Sequence, residues 1–275
     1  MKTGVIIPLR DPGTIESQFE NVRALGFENC QINCWNPELF TRETADRVNA
    51  AKEKFGVAIS TFWCGWSGPK VWDFIEGPIT LGLVPAAYRF ERMRELMKGS
   101  DFAKMLGVEN MATHVGFLPE NPASGEYPQV VAALKTVAKK CREHSKFFLF
   151  ETGQETPVTL RRTIEDVGTD NLGVNLDPAN LILYGKANPV DAGGILGQYV
   201  RDVHAKDGLS PTDGRHLGKE TPLTESRVNF PALIAALKEA GYDGTLTIER
   251  EISGEQQIKD IIKAKEILEE LIKTV

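Results

Sequence analysis

Short runs of β-branched and aromatic residues alternate along this chain with longer stretches whose apolar positions recur at helical spacing, the pattern of repeated βα units. The runs predict eight strands: Thr3 to Pro8, Asn29 to Cys34, Val57 to Trp63, Glu109 to His114, Phe147 to Glu151, Leu172 to Asp177, Val200 to Lys206 and Gly244 to Glu249. The stretches between them predict helices over Thr14 to Leu25, Arg42 to Phe55, Ala86 to Leu106, Tyr127 to Glu143, Pro157 to Asp166, Asn188 to Gly197, Phe230 to Ala240 and Glu255 to Ile272. Thr, Asp or Pro stands near several helix starts, and Gly26, Gly56 and Gly241 stand where helices give way to strands.

Such alternation predicts an α/β fold, a (β/α)8 TIM barrel, and the 275 residues suit one such barrel, so residues 1–275 read as a single domain. No GxGxxG follows the first strand, which argues against a doubly wound dinucleotide-binding sheet. Two connections are unusually long, Cys64 to Pro85 and Ala205 to Asn229. Both follow strands and so belong to the C-terminal face, where barrel enzymes carry their active sites, and both read as a substrate cover.

Four polar residues fall at the ends of four successive predicted strands: Glu151 in FFLFETGQE, Asp177 in LGVNLDPAN, His204 in VRDVHAKDG and Glu249 in GTLTIERE. A barrel gathers its strand ends at one mouth, so residues distant in sequence become neighbours. Each has a blander reading: a helix cap for a glutamate, a turn before Pro178 for Asp177, a structural histidine for His204. Together, three crowded carboxylates repel one another unless a cation neutralises them. Oxygen-rich ligation with one imidazole points to one divalent metal, Mn2+ first, with Mg2+, Co2+ or Zn2+ as alternatives.

Composition narrows the function classes. A formal charge of −6 with no clustered Lys or Arg gives no footprint for nucleic acid. The first apolar run is too short for a signal segment or a membrane span, and the expectation is a cytoplasmic protein. Cys30, Cys34, Cys64 and Cys141 show no CxxC pairing and read as buried thiols in a reducing compartment.

The FETGQE, NLDPANL and HAKD segments and the final IE at Glu249 resemble the sugar phosphate isomerase/epimerase superfamily, with its xylose-isomerase-like barrel, over nearly the whole chain. That superfamily includes ketose 3-epimerases, inosose-processing enzymes and, more distantly, metal-dependent endonucleases of abasic sites. The resemblance implies that Glu151 and Glu249 are catalytic as well as metal-binding, exchanging a proton α to a carbonyl through a metal-stabilised enediolate. One position departs from the ketose 3-epimerase pattern: Asn180 stands three residues after Asp177, where that branch carries a histidine, and an amide cannot take up a proton. The endonuclease branch binds three zinc ions with several more histidines than His114, His144, His204 and His216 supply.

Further substrate-binding residues are expected around this centre. His114 ends the fourth predicted strand, and Lys206 lies on the same face as His204 under strand alternation; a structural histidine and a salt bridge are the competing readings. Glu155 and Arg215 match positions where the family touches its substrate, although a helix-terminal charge and a solvated loop charge explain them equally well. Asn180 can hydrogen-bond a sugar hydroxyl or carbonyl, and Trp35, Trp63 and Trp66 can form an apolar wall against a sugar. The function expected is a divalent-metal-dependent isomerase or epimerase acting on a sugar or cyclitol. The alternative is a lyase or dehydratase acting on an inosose or a 3-keto-glycoside. Similar barrels lead to the expectation of a homodimer or homotetramer.

Overall fold

A computed structural model describes the chain from Met1 to Val275. Eight strands, Lys2–Pro8, Asn29–Cys34, Ala58–Cys64, Asn110–Thr113, Phe147–Glu151, Leu172–Leu176, Val200–Ala205 and Thr245–Ile248, run parallel and close into a barrel in sequence order. Closure is made by the first and eighth strands, with Lys2 opposite Thr245 and Val5 opposite Ile248. The outer helices are Ile15–Ala24, Arg42–Phe55, Ala86–Leu106, Tyr127–Glu143, Pro157–Val167, Pro189–Leu196, Phe230–Glu239 and Glu255–Thr274. The (β/α)8 expectation therefore holds. Two short helices, Gly77–Thr80 and Pro178–Leu183, were not anticipated.

Period-two alternation sorts each strand into two faces. Val5, Ile7, Ile32, Phe62, Phe148, Phe150, Val174, Val203, Leu246 and Ile248 belong to the large apolar core shared with the outer helices. The alternate positions point inward and are mostly polar: Gln31, Thr61, Asn175, Asp202, His204 and Thr247 are all buried. Burying polar groups is costly unless they are paired, and here they pair with one another. Asp202 alone accepts from Ser60 Oγ at 2.7 Å, Thr61 Oγ1 at 2.6 Å, Thr247 Oγ1 at 3.0 Å and Gln31 Nε2 at 3.3 Å.

Both long connections lie over the mouth and are tied down. Arg92, fully buried, donates to the carbonyls of Pro69 (2.8 Å), Thr80 (2.7 Å) and Gly82 (2.8 Å), fixing the loop after the third strand. Gly82 has φ +67°, and a Cβ there would come within 2.1 Å of the Val115 backbone, so only glycine fits this crossing. Asp207 accepts from the backbone N–H groups of Ser226, Arg227 and Val228 and closes the loop after the seventh strand. The two loops meet at an antiparallel bridge between Asp73 and His216, where Phe74 N–H donates to the Arg215 carbonyl at 3.0 Å.

All four cysteines are free and buried. No helix is long and apolar enough to cross a membrane.

Candidate metal centre at the barrel mouth

Four residues expected to meet do so. Glu151 closes the fifth strand, His204 lies in the seventh, and Asp177 and Glu249 stand one residue beyond the sixth and eighth. One ligand atom from each lies within 4.8 Å of the others, which defines a candidate metal-binding group. His204 Nδ1 is 3.2 Å from Glu151 Oε1, 3.2 Å from Glu249 Oε2 and 3.7 Å from Asp177 Oδ2.

Local structure aims each group. Asp177 caps the short helix Pro178–Leu183, its Oδ1 accepting from Asn180 N–H at 2.8 Å, which leaves Oδ2 turned toward the centre. The far side of the His204 ring is held from inside the barrel: Nε2 is 2.7 Å from Gln31 Oε1. Gln31's amide is oriented in turn by donation from its Nε2 to Asp202. The Asn175 amide lies 3.0 Å from the same nitrogen; with Gln31 Oε1 as acceptor the ring carries a proton on Nε2 and presents Nδ1 to the carboxylates.

Two buried atoms in the centre, His204 Nδ1 and Asp177 Oδ2, have no hydrogen-bond partner. Leaving them unpaired beside two further carboxylates costs free energy that one shared cation removes. The donor set thus fits a divalent ion, with His204, Glu151, Asp177 and Glu249 each supplying one atom.

The electrostatics agree. Burial alone would lower the His204 pKa, but the carboxylates of Glu151 and Glu249 outweigh it and hold the ring well above the usual histidine range. Burial likewise pushes Glu249 up, yet the Lys206 ammonium and His204 bring it below the usual carboxylate range. Glu151 is lowered in the same way against its burial, by His114 and His204. A site in which carboxylates stay charged and a histidine holds a proton in their midst is one where a cation can take that proton's place.

A cavity of about 510 Å³ opens over this centre, lined by Glu151, Glu249, His114, Asn180, Lys206, Trp35 and Trp63 among others. Asn180 Nδ2 donates to Glu151 Oε1 at 3.4 Å and its Oδ1 accepts from Lys206 at 3.5 Å. Lys206, 3% exposed, also bridges Glu249 at 3.2 Å and Glu251 at 3.0 Å, the salt bridge that was its competing reading. His114 Nε2 is 3.4 Å from Glu151, while its Nδ1 is buried without a partner. Trp63 donates its indole N–H to Glu151, and Trp35 packs on Trp63 with ring centroids 4.6 Å apart.

Three expected substrate residues lie elsewhere. Arg215 is exposed in the seventh loop, where its backbone serves the bridge to Phe74, and Leu217 from the same loop faces the cavity instead. Glu155 is buried without lining the cavity; neither carboxylate oxygen has a hydrogen-bond partner, and burial pushes its pKa up to about 8. Trp66 is fully buried, with the Arg92 guanidinium 3.9 Å from its ring.

Several participants were not foreseen. Trp72 packs on His114 at 5.1 Å, and Lys70, Asn33, Tyr184 and Glu251 also line the cavity. Asn33, Gln31 and Asp202 were recoverable from strand alternation, since each shares its strand's inward face. Trp72 and Lys70 sit in an irregular loop and carry no such signal.

A family model described as xylose isomerase-like TIM barrel matches residues 19–271. The chain is 34% identical to a xylose isomerase domain protein from Planctomyces limnophilus, whose crystal structure superimposes with a TM-score of 0.92 over 99% of this chain and 98% of that one. It is 24% identical to an uncharacterized protein of Methanocaldococcus jannaschii, over 100% of this chain and 90% of that protein. A 3-keto-D-glucoside 4-epimerase from E. coli shares the fold at 18% identity, with a TM-score of 0.72 over 98% of this chain and 99% of that one. The chain belongs to the xylose isomerase-like TIM barrel family.

Proposed function

We propose that this protein is a divalent-metal-dependent isomerase or epimerase that moves a proton α to the carbonyl of a sugar. The observation that carries the proposal is the pair of buried, partnerless ligand atoms, His204 Nδ1 and Asp177 Oδ2, facing Glu151 and Glu249. When bound, the ion supplies Lewis acidity that polarises the substrate carbonyl, and Mn2+ suits this donor set first. Glu249 takes the α-hydrogen as a proton and releases it to solvent, the C–H electron pair passes into the enediolate, and Glu151, after taking up a proton from solvent water, delivers it to carbon from the opposite face. His114 and Asn180 bind hydroxyls beside Glu151, while Trp35 and Trp63 cover the apolar face of the ring. The fold shared with the E. coli 3-keto-D-glucoside epimerase supports keto-sugars as the first substrates to try.

Lys206 favours a second reading. A buried ammonium 3.2 Å from Glu249 stands where it can protonate a departing β-oxygen after Glu249 has taken the α-hydrogen, giving a lyase with an unsaturated product.

Stripping the protein with EDTA and restoring Mn2+, Mg2+, Co2+ or Zn2+ singly, against a panel of ketoses, inososes and 3-keto-glycosides, tests both readings. Turnover restored by a divalent ion with a new stereoisomer supports the epimerase, an alkene product supports the lyase, and turnover undiminished in stripped protein contradicts both.

A further inference from the structure

The barrel mouth holds two chambers. The 510 Å³ cavity over Glu151 adjoins a second of about 790 Å³, and Asn33, Trp35, Glu249 and Glu251 line both. Each volume falls in the range that accommodates a drug-sized molecule, and one sugar ring fills a fraction of the first. The two chambers differ in cover. The first is roofed by the joined long loops, which contribute Lys70, Trp72 and Leu217. The second takes no residue from either loop; it lies over the ends of the first, second and eighth strands, beside Ile6, Pro8, Arg10, Ile252 and Ser253. On the side of the first strand it is lined by Ile6, Pro8, Leu9 and Arg10, just before the turn at Pro12–Thr14.

We infer that the second chamber is a subsite for a ring joined to the reacting sugar, so that the substrate is a keto-glycoside rather than a free monosaccharide. This deepens the isomerase reading and rests on it. Glu249, a proposed ligand and base, stands on the boundary, so a carbonyl-bearing ring held in the roofed chamber directs one flank through the gap between Trp35 and Glu251. The chemistry of the second chamber fits a sugar or aromatic ring: Ile6, Pro8, Ile252 and the Trp35 indole offer apolar contact, and the Asn33 amide and Arg10 guanidinium form no hydrogen bond or ion pair within the protein. Arg250 is held by Glu220 at 3.0 Å and Asp260 at 2.7 Å, and Glu251 by Lys206 at 3.0 Å, which leaves Asn33 and Arg10 as free hydrogen-bonding groups for ring hydroxyls. A roof over one chamber alone is the arrangement required by a substrate that is enclosed at its reacting end and extends outward at the other.

The test is a comparison of dissociation constants for Mn2+-loaded protein, read by tryptophan fluorescence, for methyl 3-keto-β-glucoside and for cellobiose oxidised at C3 of its non-reducing ring. The disaccharide is expected to bind at least tenfold more tightly, and Ser253→Trp, which sets a bulky ring against the second chamber, is expected to bring the ratio close to one. Equal binding of the two ligands, a ratio unchanged in Ser253→Trp, or no binding of either overturns the subsite. Solvent-hydrogen exchange followed in the same samples reports separately on the isomerase reading: preference without exchange leaves the subsite standing and removes the chemistry, and exchange without preference does the reverse.

Discussion

His204 Nε2 rests 2.7 Å from the side-chain oxygen of Gln31 and 3.0 Å from the side-chain amide of Asn175, and these contacts hold the ring with Nδ1 toward the three carboxylates. Gln31 is itself held by Asp202, two residues before His204 on the same inward face of the seventh strand. The polar interior of the barrel is thereby a support for the mouth, a chain from Asp202 through Gln31 to the imidazole. Such outer partners fix the orientation of a metal-binding histidine and raise its basicity.

Gln31→Leu leaves the Nε2–H without its acceptor, and Asp202→Asn weakens the hold on Gln31. Each is expected to weaken Mn2+ binding about 10-fold to 100-fold. Calorimetric titration of the folded variants checks this, and wild-type affinity in Gln31→Leu would remove the chain from the account.

Metal binding should expel a proton. Because the facing carboxylates raise the pKa of His204, the metal-free ring is protonated at neutral pH, and the ion must displace that proton. Apparent affinity is expected to fall roughly tenfold per pH unit below the His204 pKa, with about one proton released per ion in buffers of different ionisation enthalpy. The same shift has a sign for stability. The folded pKa lies above the ordinary value of 6.5, so its contribution is full below that pH and is lost as pH rises through the folded pKa. Metal-free protein should therefore lose Tm in that alkaline window, and saturating Mn2+ should recover it.

Glu155 gives a second pH dependence away from the metal. Its folded pKa of about 8 exceeds the ordinary 4.5, so the buried carboxyl is stable when neutral, and its contribution is lost as pH rises from 4.5 through 8. Glu155→Gln keeps the shape and cannot ionise. Relative to wild type it should gain about 3 kcal/mol between pH 5 and pH 7.5, at about 1.4 kcal/mol per unit. Urea unfolding of both proteins at the two pH values measures the gain, and parallel curves would contradict it.

The sequence carried the barrel and the placement of Glu151, Asp177, His204 and Glu249 because both follow from periodicity: alternating elements set the fold, and strand ends converge on one mouth. What it did not carry depended on loop geometry. Asp177 proved to be a helix cap as well as a member of the centre, because the Pro178–Leu183 helix turns directly off the sixth strand. Glu155 and Arg215, placed by resemblance, fall in irregular segments whose paths no periodicity determines, and the chain carries them away from the cavity while bringing Trp72 and Lys70 in. The third strand runs Ala58–Cys64, one residue later than expected, beside a register shift at Cys30/Gln31.

The most direct test of the central claim is proton NMR of Mn2+-loaded, then EDTA-quenched, samples in deuterated buffer, with keto-sugars as substrates and Glu151→Gln and Glu249→Gln as controls. The account predicts loss of one α-hydrogen signal from a substrate with wild type, and a slowing of about 10²-fold to 10⁴-fold in either variant. Retention of every α-hydrogen by wild type across the panel, with the ion bound, would contradict it.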